Sequence, residues 1–162
     1  MGTQLPTNFL GPGSVIQVVS TVSTAIASTS NPMIFGPLDY TNTQGAEFMA
    51  LSITPKFATS TIIVQVVAVT STTTSGTGVG LALFQDAGTI AVAASVPYPD
   101  SGGASGSGTP MVYVATAGST NLTTFHFRAG PSSGAMYLNS YSSNGLSGSS
   151  VKSSMIITEV AA

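Results

Sequence analysis

The chain has 162 residues, with 3 Lys and Arg, 5 Asp and Glu and no cysteine. Charged residues are 5% of the sequence, whereas an average soluble domain has roughly a quarter. The net charge of −2 and the wide spacing of the three cations argue against a nucleic-acid-binding patch, and the lack of cysteine excludes disulfides, thiolate metal sites and a cysteine nucleophile.

Residues 1–13 are predicted to form an extended N-terminal arm. Prolines and glycines punctuate this stretch, and proline cannot join a central strand because it lacks a backbone N–H. The stretch has no basic region followed by an apolar run, as a signal peptide would, and no segment of the chain is long and apolar enough for a membrane-spanning helix. We expect no membrane partner, and we expect the arm to pack its apolar side chains on another surface: Leu5, Phe9 and Leu10.

Residues 14–162 are predicted to form a single all-β domain. Short runs rich in β-branched residues alternate with clusters of Gly, Pro, Ser and Asn, which mark turns. About eight or nine such runs in one domain favour an antiparallel β-sandwich, with a jelly-roll-like topology as the preferred path.

Three central runs carry more specific predictions. In AEFMALSIT, which starts at Ala46, Phe48 and Leu51 are candidate core residues. TIIVQVVAV, from Thr61, is nearly continuous in apolar residues, which is typical of a strand covered on both faces. It is therefore either a central strand or an interface strand. VGLALFQDAGTIAVAASV, from Val79, predicts a hairpin that turns at residues 85–88.

The only histidine lies in TTFHFRAGPSSGAMYLN, from Thr123 to Asn139. A period of two places Phe125 and Phe127 in the core, and His126 and Arg128 on the opposite face. We expect the next run to return as a hairpin, with Met136 and Leu138 inward and with Tyr137 and Asn139 outward. A surface or interface role is predicted for His126.

No chemical motif points to an enzyme, a metal or a cofactor. The carboxylates Asp39, Glu47, Asp86, Asp100 and Glu159 show no metal-binding spacing and are expected in solvent or turns. The glycine-rich stretches match no phosphate-binding pattern, and no serine lies in a nucleophile elbow. A general base or a carboxylate pair would arise only if the fold brought distant residues together.

The hydropathy predicts an assembly. Mean hydropathy is +0.41 although no membrane segment is present. Apolar surface of that extent on a monomer would promote aggregation, so we expect it to be covered by other chains. Ser and Thr suit such contacts because they avoid the desolvation cost of charge. The sequence therefore predicts an obligate oligomer.

Three segments resemble a family of bacteriophage virion proteins, found in tail-fibre-like and head-decorating chains that include those of cyanobacterial phages. These segments are GPGSVIQVVSTVSTA, LSITPKFATSTIIVQVVAV, and FRAGPSSGAMYLN together with SSMIITEVAA, and the match covers most of the chain. Only 13 residues precede Ser14, where fibre proteins of this kind carry a long shaft. The resemblance therefore favours a short accessory protein.

The resemblance implies a capsid decoration or cement protein, made in the host cytoplasm and located on the phage head, with the tail as the other location. It implies a homotrimer that contacts the major capsid protein or another virion protein, with Leu5, Phe9 and Leu10 as a latch. A trimer seam is assigned to a two-sided apolar strand, with Ile62, Val64 and Val66 as its first candidates and Ile63 and Val67 beside them. These residues are equally compatible with ordinary core. The alternative is a tail-fibre or spike adaptor domain that holds a host glycan on aromatic residues: Tyr98, Tyr137 and Tyr141.

Overall fold

Strands account for nearly all regular structure in this chain. The computed structural model describes residues 11–36, 39–72, 74, 76–97, 106–140 and 150–162. Ten strands lie within these residues: β1 (Val15–Ser23), β2 (Ala27–Thr29), β3 (Ala46–Ile53), β4 (Thr61–Thr72), β5 (Val79–Gln85), β6 (Ala93–Ser95), β7 (Gly106–Thr116), β8 (Thr123–Pro131), β9 (Met136–Leu138) and β10 (Ser153–Val160).

The strands form two antiparallel sheets. In the first sheet β4 is central, with β7 along one side and with β10 and then β9 along the other. β1 pairs with β10, and β2 pairs with β9, so the first sheet is four strands wide. The second sheet has the order β3-β8-β5-β6. The predicted all-β antiparallel sandwich is confirmed, and β4 is a central strand, which is one of the two alternatives that its apolar run left open.

The core lies between the two sheets and follows the period of two. Phe125 and Phe127 of β8 are buried, as predicted, and so are Met136 and Leu138 of β9. On β3 a register shift between Glu47 and Met49 interrupts the alternation. The side chains of Met49 and Ile53 are consequently the buried ones, whereas Phe48 and Leu51 pack against the core while half-buried.

The segment after β8 departs from the prediction. β8 belongs to the second sheet and β9 to the first, so the predicted β8–β9 hairpin is wrong; the connection crosses the sandwich. Asn139, expected outside, is buried with φ of 56°. Its amide nitrogen donates to the carbonyl oxygens of Ser23 and Ala25, and its amide oxygen accepts from Ser153 Oγ. These hydrogen bonds favour a buried position for the Asn139 side chain, because they satisfy backbone carbonyl groups at the end of β1.

The outer face of the second sheet carries a small apolar cluster of its own. Met33 and Tyr40, from the stretch between β2 and β3, cover Ala82 and Phe84 of β5, with Phe35 and Ala91 packed at the margin. β5 is therefore covered on both faces. The predicted hairpin is confirmed by the pairing of β5 with β6, although the connection extends beyond the predicted turn to residue 92.

Candidate functional site

The outer face of the first sheet has no covering segment among the described residues. Cross-strand registers place twelve outward side chains in three rows across β7, β4, β10 and β1. We call this set the valine face: Val114, Ile63, Thr158 and Val18; Val112, Gln65, Ile156 and Ser20; Pro110, Val67, Ser154 and Val22. None of these residues is charged.

The valine face exposes large apolar side chains although the chain has a complete core beneath it. Val18, Val22, Val112 and Val114 are 55–57% exposed, and Val67 is 43% exposed. Strands pair at about 4.8 Å, so these side chains form one continuous surface instead of scattered single positions. A contiguous apolar surface on a soluble domain marks an interaction site.

The seam assigned to β4 needs correction. Ile62, Val64 and Val66 are 4%, 0% and 1% exposed, because they occupy the inward positions of β4 and pack between the sheets. They are ordinary core and cannot reach another chain while the sandwich is intact. A single chain covers only one face of β4, not both as expected, since Gln65 and Val67 on the other face are exposed.

A second candidate is a polar hollow on the outer face of the second sheet. His126 Nδ1 lies 3.2 Å from Glu47 Oε2, and Arg128 Nη1 lies 4.0 Å from the same oxygen. Arg128 also donates from Nε and Nη2 to the carbonyl oxygens of Gln44 and Gly45, each at 3.0 Å. The alternation of β8 places His126 and Arg128 outward, as predicted, and the β3 register shift lies beside Glu47.

The polar hollow has a volume of about 150 Å³ and is lined by Asn42, Glu47, Phe84, Asp86, Gly88, His126 and Arg128. The Glu47 carboxylate can orient the His126 ring. None of these lining residues has a hydroxyl or amine that His126 could activate as a nucleophile. Within the described residues, no group of three His, Asp or Glu side chains is placed to hold a metal ion.

An apolar cleft of about 330 Å³ lies at the β6 edge of the same sheet. Phe35 and Tyr40 form one wall with their rings edge to face, 6.5 Å between centroids, and Asp39 and Ala94 contribute to the lining. Burial raises the pKa of the Tyr40 hydroxyl above its ordinary value. The phenol is therefore neutral at physiological pH.

Glu159 is a buried carboxylate that sequence analysis missed. Burial raises its pKa, but hydrogen bonds from Ser60 Oγ, Gln17 Nε2 and the backbone N–H groups of Phe57 and Lys56 outweigh burial and lower the pKa overall. The bonds from Ser60 and Gln17 are each 2.6 Å long. The signal was available, because alternation in SSMIITEV puts Glu159 on the inward side with Met155 and Ile157.

The remaining predicted contact residues divide in two. Leu5, Phe9, Leu10, Tyr98 and Tyr141 lie outside the described residues. Tyr137 lies on β9, half-buried, opposite Ser28 on β2 and Ser71 on β4. The described residues therefore bring no group of the predicted tyrosines together.

The proposal of a function rests on the sandwich fold and its uncharged valine face. No family model matches the chain, and no curated protein matches it. None of the described residues forms a helix that is long and apolar enough to span a membrane.

Proposed function

We propose that this chain is a structural bacteriophage virion protein: a capsid decoration or cement protein that stabilises the head shell through protein–protein contacts as a homotrimer. The observation that carries the proposal is the valine face, which is largely apolar, uncharged and not covered by any of the described residues. Such a face suits a protein whose function is to form lasting contacts with other proteins. The resemblance of the three sequence segments to phage virion proteins supplies the virion context.

The mechanism is mechanical and rests on many repeated contacts. Apolar surface stabilises a contact by roughly 25 cal/mol per Å² buried. On a lattice, each copy needs only moderate affinity, because several linked contacts strengthen one another. A surface with few charges also loses little to desolvation when it is buried.

The strand order supports a jelly-roll path as part of this proposal. The first sheet has six strands, and four of them, in the order β1-β10-β4-β7, face the four strands of the second sheet in the order β3-β8-β5-β6. The chain crosses between the sheets after β2, β3, β4, β6, β7 and β8. Two four-stranded sheets linked by such crossings are the arrangement expected of a jelly roll.

The latch is the second part of the proposal. Residues 1–10 hold Leu5, Phe9 and Leu10 and no charged residue. The following residues are tied to the domain edge, where Gly13 N–H donates to the Ala161 carbonyl oxygen at 2.9 Å. Apolar side chains on a segment anchored in this way can reach the major capsid protein or a neighbouring virion protein.

The test is binding to phage shells that lack this protein. Purified wild-type chain is mixed with such shells, and bound protein and shell survival on heating are measured after sedimentation. We expect saturable binding at a lattice-like ratio and a higher shell disruption temperature. A variant without residues 1–10 and the full-length variant Leu5→Ser/Phe9→Ser/Leu10→Ser are both expected to lose at least tenfold in shell affinity.

The contrary result is a chain that ignores shells and attaches to host cells. That outcome would favour the tail-fibre or spike alternative, in which Tyr98, Tyr137 and Tyr141 contact host glycan. Alanine at each tyrosine would then reduce cell attachment while leaving the fold intact, as circular dichroism would report.

A further inference from the structure

We infer that the valine face is the contact surface between copies of this chain. The inference rests on the proposed homo-oligomeric virion protein and names the partner of its uncovered face. It also restricts the intersubunit contact on β4 to the outward side of that strand, where Ile63, Gln65 and Val67 lie, because the inward side is core.

Charge is the first argument for a second copy as the occupant. The valine face carries no charged residue, so it offers no ion pair to a partner and suffers no repulsion from an identical face. A quarter of an average protein's residues are charged, and burying those charges against valine would be unfavourable. This chain is only 5% charged, so another copy presents the uncharged surface that the face requires.

Shape is the second argument. The face is a regular grid in which ten of the twelve side chains are β-branched or small, the exceptions being Gln65 and Pro110. Val114, Ile63, Thr158 and Val18 form one complete row of β-branched side chains. Sheets pack face to face at about 10 Å through side chains of this kind. The two sheets of this domain already pack in that way through Val64, Val66 and Ile157.

Area is the third argument. The rows span five residues on each of four strands. Strands about 4.8 Å apart with a rise of 3.4 Å per residue give this face a flat area of roughly 330 Å². The accessible area is larger because the side chains stand above that plane, and a stable interface needs about 800 Å² per partner. The contact therefore needs the whole face, which a folded domain can cover and a single docked peptide cannot.

The test compares the oligomeric state of face and control variants by sedimentation velocity of the full chain at tens of micromolar. Val67→Lys/Val112→Lys places two charges on neighbouring strands of the grid and is expected to raise the dissociation constant between copies at least a hundredfold. Leu122→Lys is the matched control, because Leu122 is 65% exposed yet lies outside the face. We expect this control to sediment as the wild type does.

A second measurement protects the test against a variant that fails to fold. Because the chain has no cysteine, Ser20→Cys on the face and Ala87→Cys on the exposed β5–β6 turn each give one labelling site. Maleimide labelling at Ser20→Cys is expected to slow at least tenfold between dilute and concentrated protein. Labelling at Ala87→Cys is expected to be independent of concentration.

The outcomes separate this inference from the proposed function. Two identical flat faces that pack sheet against sheet form a twofold contact, so a dimer that dissociates in the face variant supports the face and overturns the trimer. A trimer that dissociates in this variant supports the face as a contact surface and overturns the pairing of two whole identical faces. A wild-type monomer, or an oligomer that the face variant leaves intact, overturns the inference. If that monomer still binds shells, the decoration proposal stands and the shell protein is the occupant of the face.

Discussion

At the scale of single residues, Glu159 shows how one buried charge organises an edge of the sandwich. Its Oε1 accepts from Lys56 N–H at 2.8 Å, Phe57 N–H at 3.2 Å and Ser60 Oγ at 2.6 Å. These donors belong to the β3–β4 connection, about a hundred residues away in sequence. Glu159 therefore fixes the turn between the sheets by charge-assisted hydrogen bonds.

The lowered pKa makes stability depend on pH in a defined direction. A carboxylate whose folded-state pKa is lowered stabilises the fold above its ordinary value of 4.5, and this stabilisation is lost as the pH falls through the folded-state pKa. Glu159→Gln removes the charge, so we expect the free energy of unfolding at pH 7 to fall by about 1–3 kcal/mol. Urea denaturation at several pH values measures both effects.

The pH profile distinguishes the carboxylate from simple packing. The wild type is expected to lose stability as the pH falls below 4.5, and Glu159→Gln is expected to lose less over the same range. Ser60→Ala removes one donor and keeps the charge, so it should lower stability at pH 7 while retaining a pH dependence. Equal slopes for wild type and Glu159→Gln would contradict the assignment.

At the scale of elements, the stretch between β2 and β3 is held on the second sheet by close backbone contact. A Cβ added at Gly130 on β8 would lie 2.5 Å from the Asn31 carbonyl oxygen and 2.9 Å from Met33 Cγ. Only glycine allows this approach, which lets Met33 N–H donate to the Pro131 carbonyl oxygen at 3.0 Å. The cluster of Met33, Tyr40, Ala82 and Phe84 depends on it.

We therefore expect Gly130→Ala to lower the free energy of unfolding by about 1–3 kcal/mol, through overpacking against backbone. Gly108→Ala on β7 is the matched control, since a Cβ there meets nothing within 4 Å. That control is expected to be neutral or to stabilise by up to about 1 kcal/mol. Thermal and urea unfolding provide the comparison, and equal losses at both positions would show that the close approach is unimportant.

At the scale of the whole molecule, the proposed contact between uncharged valine faces predicts how association between copies responds to salt. Raising NaCl from about 0.05 to about 0.5 M screens charges strongly, but the valine face has none to screen. We expect the dissociation constant between copies to change less than about twofold over this range, and sulfate to tighten association by strengthening apolar burial. Dissociation of the oligomer by NaCl would instead place charged residues in the contact.

Much of the candidate site could be predicted from the sequence, but the contact between His126 and Glu47 could not. Alternation in TTFHFRA correctly placed His126 and Arg128 outside, because side-chain direction along a strand is a local property. The partner Glu47 is 79 residues from His126 and reaches it only because β3 pairs with β8 next to a register shift. The β8–β9 hairpin failed for the same reason, since a turn-like sequence does not decide which sheet the next strand joins.

Composition and period-two alternation determined the all-β class, the turns and the paucity of charge, because each depends only on neighbouring residues and residue type. Alternation also divided β4 into two sets of side chains, but it could not assign them to a face, since both sets are apolar. Only tertiary pairing decided that Ile62, Val64 and Val66 fill the core while Val67 stands outside. Burial of one set against the second sheet is a long-range contact, and it left the other set on the outer face of the sandwich.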